Sequence, residues 1–159
     1  EQNMAGISAD LINPFLMAAT SIMKDICQTD MSIGKPYVKK TEFEDETVAI
    51  MIGITGEMKG QVLMAFSYAN ALNVASRMMM GMPVNELDEL AQSAISELVN
   101  MLTANVATNF SLEGIQIDIS TPTLMKGEFS ANACTDKVIS VEMAANDVVI
   151  DMNISLEKI

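Results

Sequence analysis

The sequence contains no histidine and no tryptophan, and only 4% of its residues are aromatic. Histidine is the usual general base of enzymes, the partner of most nucleophilic serines and cysteines, and the commonest zinc ligand. Its absence therefore excludes serine and cysteine hydrolases of the histidine-dependent type and makes a zinc site improbable. A phosphate-binding Walker loop and a GxGxxG loop are missing as well.

Basic residues are also scarce, with nine lysines and arginines against twenty-one acidic residues and a net charge of −12. A surface of that charge repels the phosphate backbone of nucleic acids and anionic lipid headgroups. The apolar stretches are all interrupted before they reach the roughly 20 residues that span a bilayer. We therefore expect neither a nucleic-acid partner nor a membrane partner.

The two cysteines, Cys27 and Cys134, are far apart in the sequence and form no CxxC motif. They predict neither a zinc knuckle nor a dithiol redox site. We expect both to be reduced and largely buried, which favours a reducing compartment, although the sequence leaves a single disulfide open. No secretion signal is recognisable at the N-terminus, so the expected location is the cytoplasm.

Half of the 159 residues are apolar, which is enough for a single domain over residues 1–159. Hydrophobic periodicity predicts a helix, a β-hairpin, two further helices and then several strands, an α+β order. Ser67 is a candidate N-cap for the second helix and Asn85 for the third, which should run to about Ser111. The predicted elements are helix 8–28, strands 48–54 and 61–66, helix 68–80, helix 86–111, and strands 116–120, 123–125, 138–144 and 148–156.

Fifteen methionines stand out, and Met78, Met79, Met80 and Met82 cluster at a predicted helix end. Methionine-rich grooves occur in calcium sensors, but no EF-hand loop is present here. We expect these four side chains to pack against the core, the alternative being a promiscuous binding surface.

The third helix carries the pattern that bears on function. At about 100° per residue, Ser93, Glu97 and Asn100 fall within an arc of about 60°, opposite a wholly apolar side. The apolar side consists of Leu87, Ala91, Ala94, Ile95, Leu98, Met101 and Leu102. Small residues lie around the polar group, namely Ser96, Ala104, Ala107 and Ser111, so another protein could approach closely. A solvated polar stripe is the alternative interpretation, because ExxN alone is a weak signal.

Four segments of the chain resemble the CheC/CheX/FliY phosphatases of bacterial chemotaxis, and most closely the CheX branch. They are IGITGEMKGQV (52–62), ALNVASRMMMGM (71–82), LDELAQSAISELVNM (87–101) and IDISTPT (117–123). The signature of this family is an Asp or Ser, then ExxN, then a proline some twenty residues later, and Ser93, Glu97, Asn100 and Pro122 match it in order. The first helix lacks a second ExxN, which is the CheX pattern.

The resemblance implies a CheC-like α+β fold, an antiparallel sheet with long helices packed on it, and a homodimer formed through β-strands. It implies hydrolysis of the aspartyl phosphate of a CheY-type response regulator, with Asn100 holding the attacking water and Glu97 docking the regulator. Ser93 and Ala104 would contact the partner, although Ser93 could equally be a plain surface residue. Pro122 would shape a loop. Mg²⁺ would arrive with the regulator, and no cofactor is expected on this chain. The alternative is a non-catalytic module that binds a response regulator or flagellar component.

Overall fold

The computed structural model describes residues 3–4, 7–38, 42–43, 47–126, 129–130, 138–145 and 148–158. Cys134 and residues 146–147, between the last two predicted strands, lie outside these ranges. Within them the chain forms three helices, α1 (Ala9–Cys27), α2 (Tyr68–Met78) and α3 (Glu89–Leu112). All three were predicted from periodicity, with bounds that differ by a few residues.

The strands in the described ranges form mainly one antiparallel sheet. In chain order they are β1 (Asn3–Met4), β2 (Ile7–Ser8), β3 (Ser32–Ile33), β4 (Tyr37–Val38), β5 (Glu42–Phe43), β6 (Thr47–Gly56), β7 (Met58–Ser67), β8 (Ile117–Ile119), β9 (Thr123–Lys126), β10 (Phe129–Ser130), β11 (Ile139–Ala145) and β12 (Val148–Lys158). Four long strands lie side by side in the order β11, β12, β7, β6. Short strands border them, with β3 and β4 on β11 and with β8 and β9 on β6.

Strands β6 and β7 form a long antiparallel hairpin, as their alternating sequence predicts. Val48, Ile50, Ile52 and Ile54 point to one face and join the main core with the inner sides of all three helices. Successive side chains of a strand point to opposite faces, and Ala49 accordingly joins a small second cluster with Leu63 and Ala65. The antiparallel sheet with its helices confirms the predicted α+β class.

The third helix is held in place by the other two helices and by the sheet. α3 packs against α1 and α2 and also contacts β6, β8 and β9. Near its C-terminal end, the rings of Phe15 and Phe110 meet edge to face with centroids 5.8 Å apart. Gly114 then takes a positive φ of 82° and ends the helix, close to the predicted end at about Ser111.

The start of α3 differs from the prediction. Asp88, not Asn85, is the N-cap: its carboxylate accepts a hydrogen bond from the Ala91 backbone N–H at 2.8 Å. Asparagine and aspartate are both common N-caps, so the residue type of Asn85 gave no reason to reject it. The helix begins later because residues 82–88 form an irregular connection, in which the Leu87 N–H donates to the Tyr68 hydroxyl at 2.9 Å.

Replacing Asp88 with alanine is expected to destabilise the fold by about 1 kcal/mol, because a backbone donor of the first turn loses its partner. Thermal unfolding should shift down by about 2–4 °C. Asn85→Ala is the matched control and should leave the melting temperature unchanged. The opposite ranking of the two variants would contradict the assignment of the cap.

The methionine prediction was wrong for two of its four members. Met78 packs against the core, but Met80 is 96% exposed and Met82 is 59% exposed. The chain leaves the helix after Met78, and Met80 adopts a positive φ of 62°, followed by Gly81 at 87°. This turn points the later side chains away from the core.

Cys27 is a buried free thiol at the end of α1, as expected. Burial raises the pKa of this thiol, and the nearby Arg77 guanidinium opposes that effect only in part.

In a Cys134→Ser variant, we expect Cys27 to react with a disulfide reagent more slowly than a small-molecule thiol at the same pH. The raised pKa also means that the free energy of unfolding falls as the pH rises through the pKa of this thiol in the unfolded chain, because the thiol ionises there before it does so in the folded protein. If Cys27 reacted with the disulfide reagent as fast as an exposed thiol, the predicted protection by burial would be contradicted.

Candidate functional site

A continuous exposed stripe runs along α3. Ser93, Glu97, Asn100 and Ala104 are all solvent-exposed, at spacings of four, three and four residues that return to the same side of a helix. Glu97 and Asn100 are three apart, so their Cβ atoms lie about 5–6 Å from each other. The predicted exposure of Ser93, Glu97 and Asn100 on one side of the helix is confirmed.

The opposite side of α3 fixes this orientation. Its buried residues include Ala91, Ile95, Leu98 and Leu102 of the predicted apolar side, whereas Ala94 and Met101 are half-buried at its margins. The burial extends further than predicted, to Val99, Thr103, Val106 and Phe110. Because several large apolar side chains are held in the core, the helix cannot rotate, and the stripe stays on the surface.

The small residues near the stripe divide into two groups. Ala104 and Ser111 are exposed, whereas Ser96 and Ala107 are half-buried. No long side chain of α3 therefore stands over Asn100 on the C-terminal side of the stripe. An approaching protein surface would meet the small side chain of Ala104 there.

The two central side chains are not engaged within the described part of the chain. Neither the Glu97 carboxylate nor the Asn100 carboxamide forms a hydrogen bond or ion pair with another described residue. α3 contains no lysine or arginine, and its other charged residue is Glu89 in the first turn. The negative charge of Glu97 is therefore uncompensated on its own helix, which suits it to a basic group on a partner.

Pro122 lies in the connection between β8 and β9, and α3 contacts both of these strands. Both strands pair antiparallel with β6, with Ile119 opposite Ile54 and Thr123 opposite Met51. Between these pairs β6 has two residues, 52 and 53, whereas the edge strand has three, 120–122. The connection is therefore a one-residue β-bulge, a position that tolerates a proline without an N–H.

Ser120 and Gly53 hold this bulge against β6. The Ser120 N–H donates to the Gly53 carbonyl at 3.0 Å. In return, the Gly53 N–H donates to the Ser120 hydroxyl oxygen at 2.8 Å. In a regular antiparallel pair a backbone carbonyl would accept this second bond. Sequence analysis missed both residues, because the signature marks only the proline and no pattern in the sequence gives the register of the strands.

The described residues show neither a metal-binding cluster nor a membrane-spanning helix. The described residues contain no group of three or more cysteine, aspartate or glutamate side chains arranged to hold a metal ion. No helix in the same ranges is long and apolar enough to cross a membrane.

Comparison with known proteins gives consistent results. The family model for the chemotaxis phosphatase CheX matches residues 48–149. The CheY-P phosphatase CheX of Thermotoga maritima is 35% identical over 121 residues, which cover 76% of this chain and 78% of that protein.

Solved structures share the fold over nearly the whole chain. The chemotaxis protein CheX from Vibrio vulnificus superimposes with a TM-score of 0.82 at 24% identity, covering 94% of this chain and 100% of that one. The CheX of a CheX–CheY–BeF3–Mg²⁺ complex from Borrelia burgdorferi gives a TM-score of 0.78 at 24% identity, covering 95% and 100%. Given the family-model match, the relative at 35% identity and this shared fold, the chain belongs to the CheX family of chemotaxis phosphatases.

Proposed function

We propose that the protein hydrolyses the aspartyl phosphate of a CheY-type response regulator, and that Glu97 and Asn100 perform this function. The observation that carries the proposal is the pair itself, exposed and unengaged on α3 in a chain of the CheX family. The relative from Thermotoga maritima is a phosphatase of phosphorylated CheY, and the Borrelia burgdorferi structure is a complex with CheY.

Asn100 orients the attacking water. A carboxamide has an acceptor oxygen and two donor hydrogens but is not a useful base, so it contributes position rather than proton abstraction. Water attacks phosphorus in line with the aspartyl oxygen, the P–O bond to the aspartate breaks, and inorganic phosphate leaves with the aspartate carboxylate restored. Because this mechanism needs no general base from the protein, it is compatible with a sequence without histidine.

Glu97 docks the regulator through one of its lysines. A charge-assisted hydrogen bond of this kind contributes roughly 1.5–3 kcal/mol to the association. Ala104 allows close approach beside Asn100, and Ser93 contacts the partner one turn before Glu97. Pro122 has a structural role, since its fixed φ shapes the loop in the bulge.

A site with so few functional groups is sufficient for this substrate. An acyl phosphate hydrolyses readily, so an acceleration of about 100-fold, or about 2.7 kcal/mol of barrier, is enough. One well-placed amide can supply an effect of that size. We propose that the Mg²⁺ ion is held by the regulator and contributes the neutralisation of phosphoryl charge, while this chain supplies the water-orienting and docking groups.

The test follows the loss of phosphate from a phosphorylated CheY-type regulator over time, in the presence of Mg²⁺, with and without the protein. We expect the protein to accelerate the loss at catalytic concentrations. Equal decay with and without the protein, combined with measurable binding, would instead support a non-catalytic regulator-binding module. Equal decay without binding would reject both functions.

We also propose that the protein acts as a homodimer in the cytoplasm. β8 and β9 form one margin of the sheet, and β3 and β4 form the other, whereas β11 and β12 lie inside the sheet. Pairing through strands would therefore use one of the two margins. Light scattering should give twice the chain mass of 17.2 kDa, and the mass of one chain at micromolar concentration would exclude the dimer.

A further inference from the structure

We propose that Ser120 is a positioning residue whose hydroxyl, bonded to Gly53, sets the place of the 120–122 bulge within the surface that receives the regulator. This inference rests on the proposed function and adds a second element to the docking surface, beside the α3 stripe. It concerns affinity for the phosphorylated regulator rather than the chemical step.

The first observation is that the hydroxyl replaces a main-chain acceptor. Both polar groups of Gly53 are bonded to Ser120, its carbonyl to the backbone N–H and its N–H to the hydroxyl oxygen. The extra residue of the bulge moves the carbonyl of the edge strand out of register, and the serine side chain fills its place. Alanine at 120 would remove the acceptor from the Gly53 N–H.

The second observation is that Gly53 leaves room for this contact. A Cβ atom built on Gly53 would lie 3.3 Å from the Ser120 hydroxyl oxygen and 3.7 Å from the Ser120 Cβ. The first distance is tighter than ordinary contact, so a larger residue at 53 would displace the serine. The two residues are therefore matched in size and in hydrogen bonding.

The third observation is the location of the loop. Its neighbours β8 and β9 both contact α3, the helix that carries Glu97 and Asn100. Ser120, Thr121 and Thr123 are exposed and Pro122 is half-buried, so the bulge presents backbone and hydroxyl groups to the outside. Bulges commonly re-aim an edge strand next to a functional site. Asn100 itself stays fixed by the buried side of α3, which is why the effect should fall on binding.

The experiment measures KM and kcat for the phosphorylated regulator in the intact protein and in Ser120→Ala. We expect KM to rise about three- to ten-fold with kcat changed by less than about two-fold, the size expected for loss of the 2.8 Å bond from the Gly53 N–H. The hydroxyl also donates to the Thr121 carbonyl, but at 3.4 Å this bond is long and weak. Ser120→Thr keeps the hydroxyl and should restore KM to within about two-fold of the original. Thr55→Ala, an exposed hydroxyl deletion on the same strand as Gly53, is the matched control and should change neither constant.

A double-variant cycle checks the coupling. Gly53→Ala alone should raise KM, because the added methyl group displaces the Ser120 hydroxyl. In the Ser120→Ala background the same change should add less than about two-fold, because the contact is already gone. Melting temperatures measured on all variants show whether each is folded at the assay temperature.

The outcomes separate this inference from the proposed function. An unchanged KM in folded Ser120→Ala overturns the positioning role, provided that the intact protein is active. Equal loss in Ser120→Thr and Ser120→Ala also overturns it, since the hydroxyl would then not be the cause. If the intact protein shows no activity, the proposed function fails, and binding of the beryllofluoride-treated regulator with Mg²⁺ is measured instead, with the same expected ranking of variants in Kd.

Discussion

Replacing Asn100 with alanine is expected to remove the phosphatase activity almost completely, lowering kcat by about 100-fold, to near the spontaneous rate of phosphate loss. The carboxamide is the one group in this proposal that touches the reacting water. Its loss leaves no side chain on the α3 stripe to take over this role, since Glu97 is bonded to the regulator's lysine in the proposal, Ser93 lies seven residues away and Ala104 is apolar. The measurement is the decay of the phosphorylated regulator at saturating concentration with Mg²⁺ present.

Two companion variants make this result specific. Asn105→Ala removes a carboxamide from the same helix but lies off the stripe and is half-buried, so it should retain the activity. Asn100→Asp keeps the shape but places a carboxylate against the phosphoryl group, and it should be as inactive as alanine because like charges repel. Undiminished turnover by Asn100→Ala would reject the assignment of Asn100.

Replacing Glu97 with glutamine is expected to weaken binding of the regulator by about 10- to 100-fold, which corresponds to the 1.5–3 kcal/mol of a charge-assisted bond. The side chain keeps its size and its exposed position, so the change isolates the charge. At saturating regulator, kcat should fall much less than in Asn100→Ala. The measurement is a titration with the regulator, repeated at increasing salt concentration. Salt screens the charge of Glu97, so the difference in Kd between the intact protein and Glu97→Gln should become smaller.

Glu113→Gln provides the control, because it removes the same charge from the exposed residue after the end of α3. It lies 16 residues beyond Glu97, or about 24 Å along the helix direction. Loss of either carboxylate changes the net charge of the chain by the same single unit, from −12 to −11. Equal affinity of the Glu97 and Glu113 variants would show that Glu97 has only a general electrostatic effect.

The sequence by itself determined the helices, the β6–β7 hairpin and the face of α3 that carries the candidate site. These follow from local periodicity, because a helix with Ile95, Leu98 and Leu102 on one side must bury that side and expose Glu97 and Asn100. The match of Ser93, Glu97, Asn100 and Pro122 to a family signature added the chemistry that spacing alone could not supply.

Tertiary structure decided the features that depend on how distant segments meet. The sequence predicted Asn85 as the first cap of α3, but Asp88 caps it, because both side chains are suitable and the path of the connection selects one. Met80 and Met82 are exposed because a turn with positive φ follows α2, whereas hydrophobicity alone favoured burial. The bulge at 120–122 depends on the register of β8 and β9 on β6, a pairing across more than sixty residues. Strand register is set by the packing of the whole sheet, so no local pattern reveals that Ser120 meets Gly53.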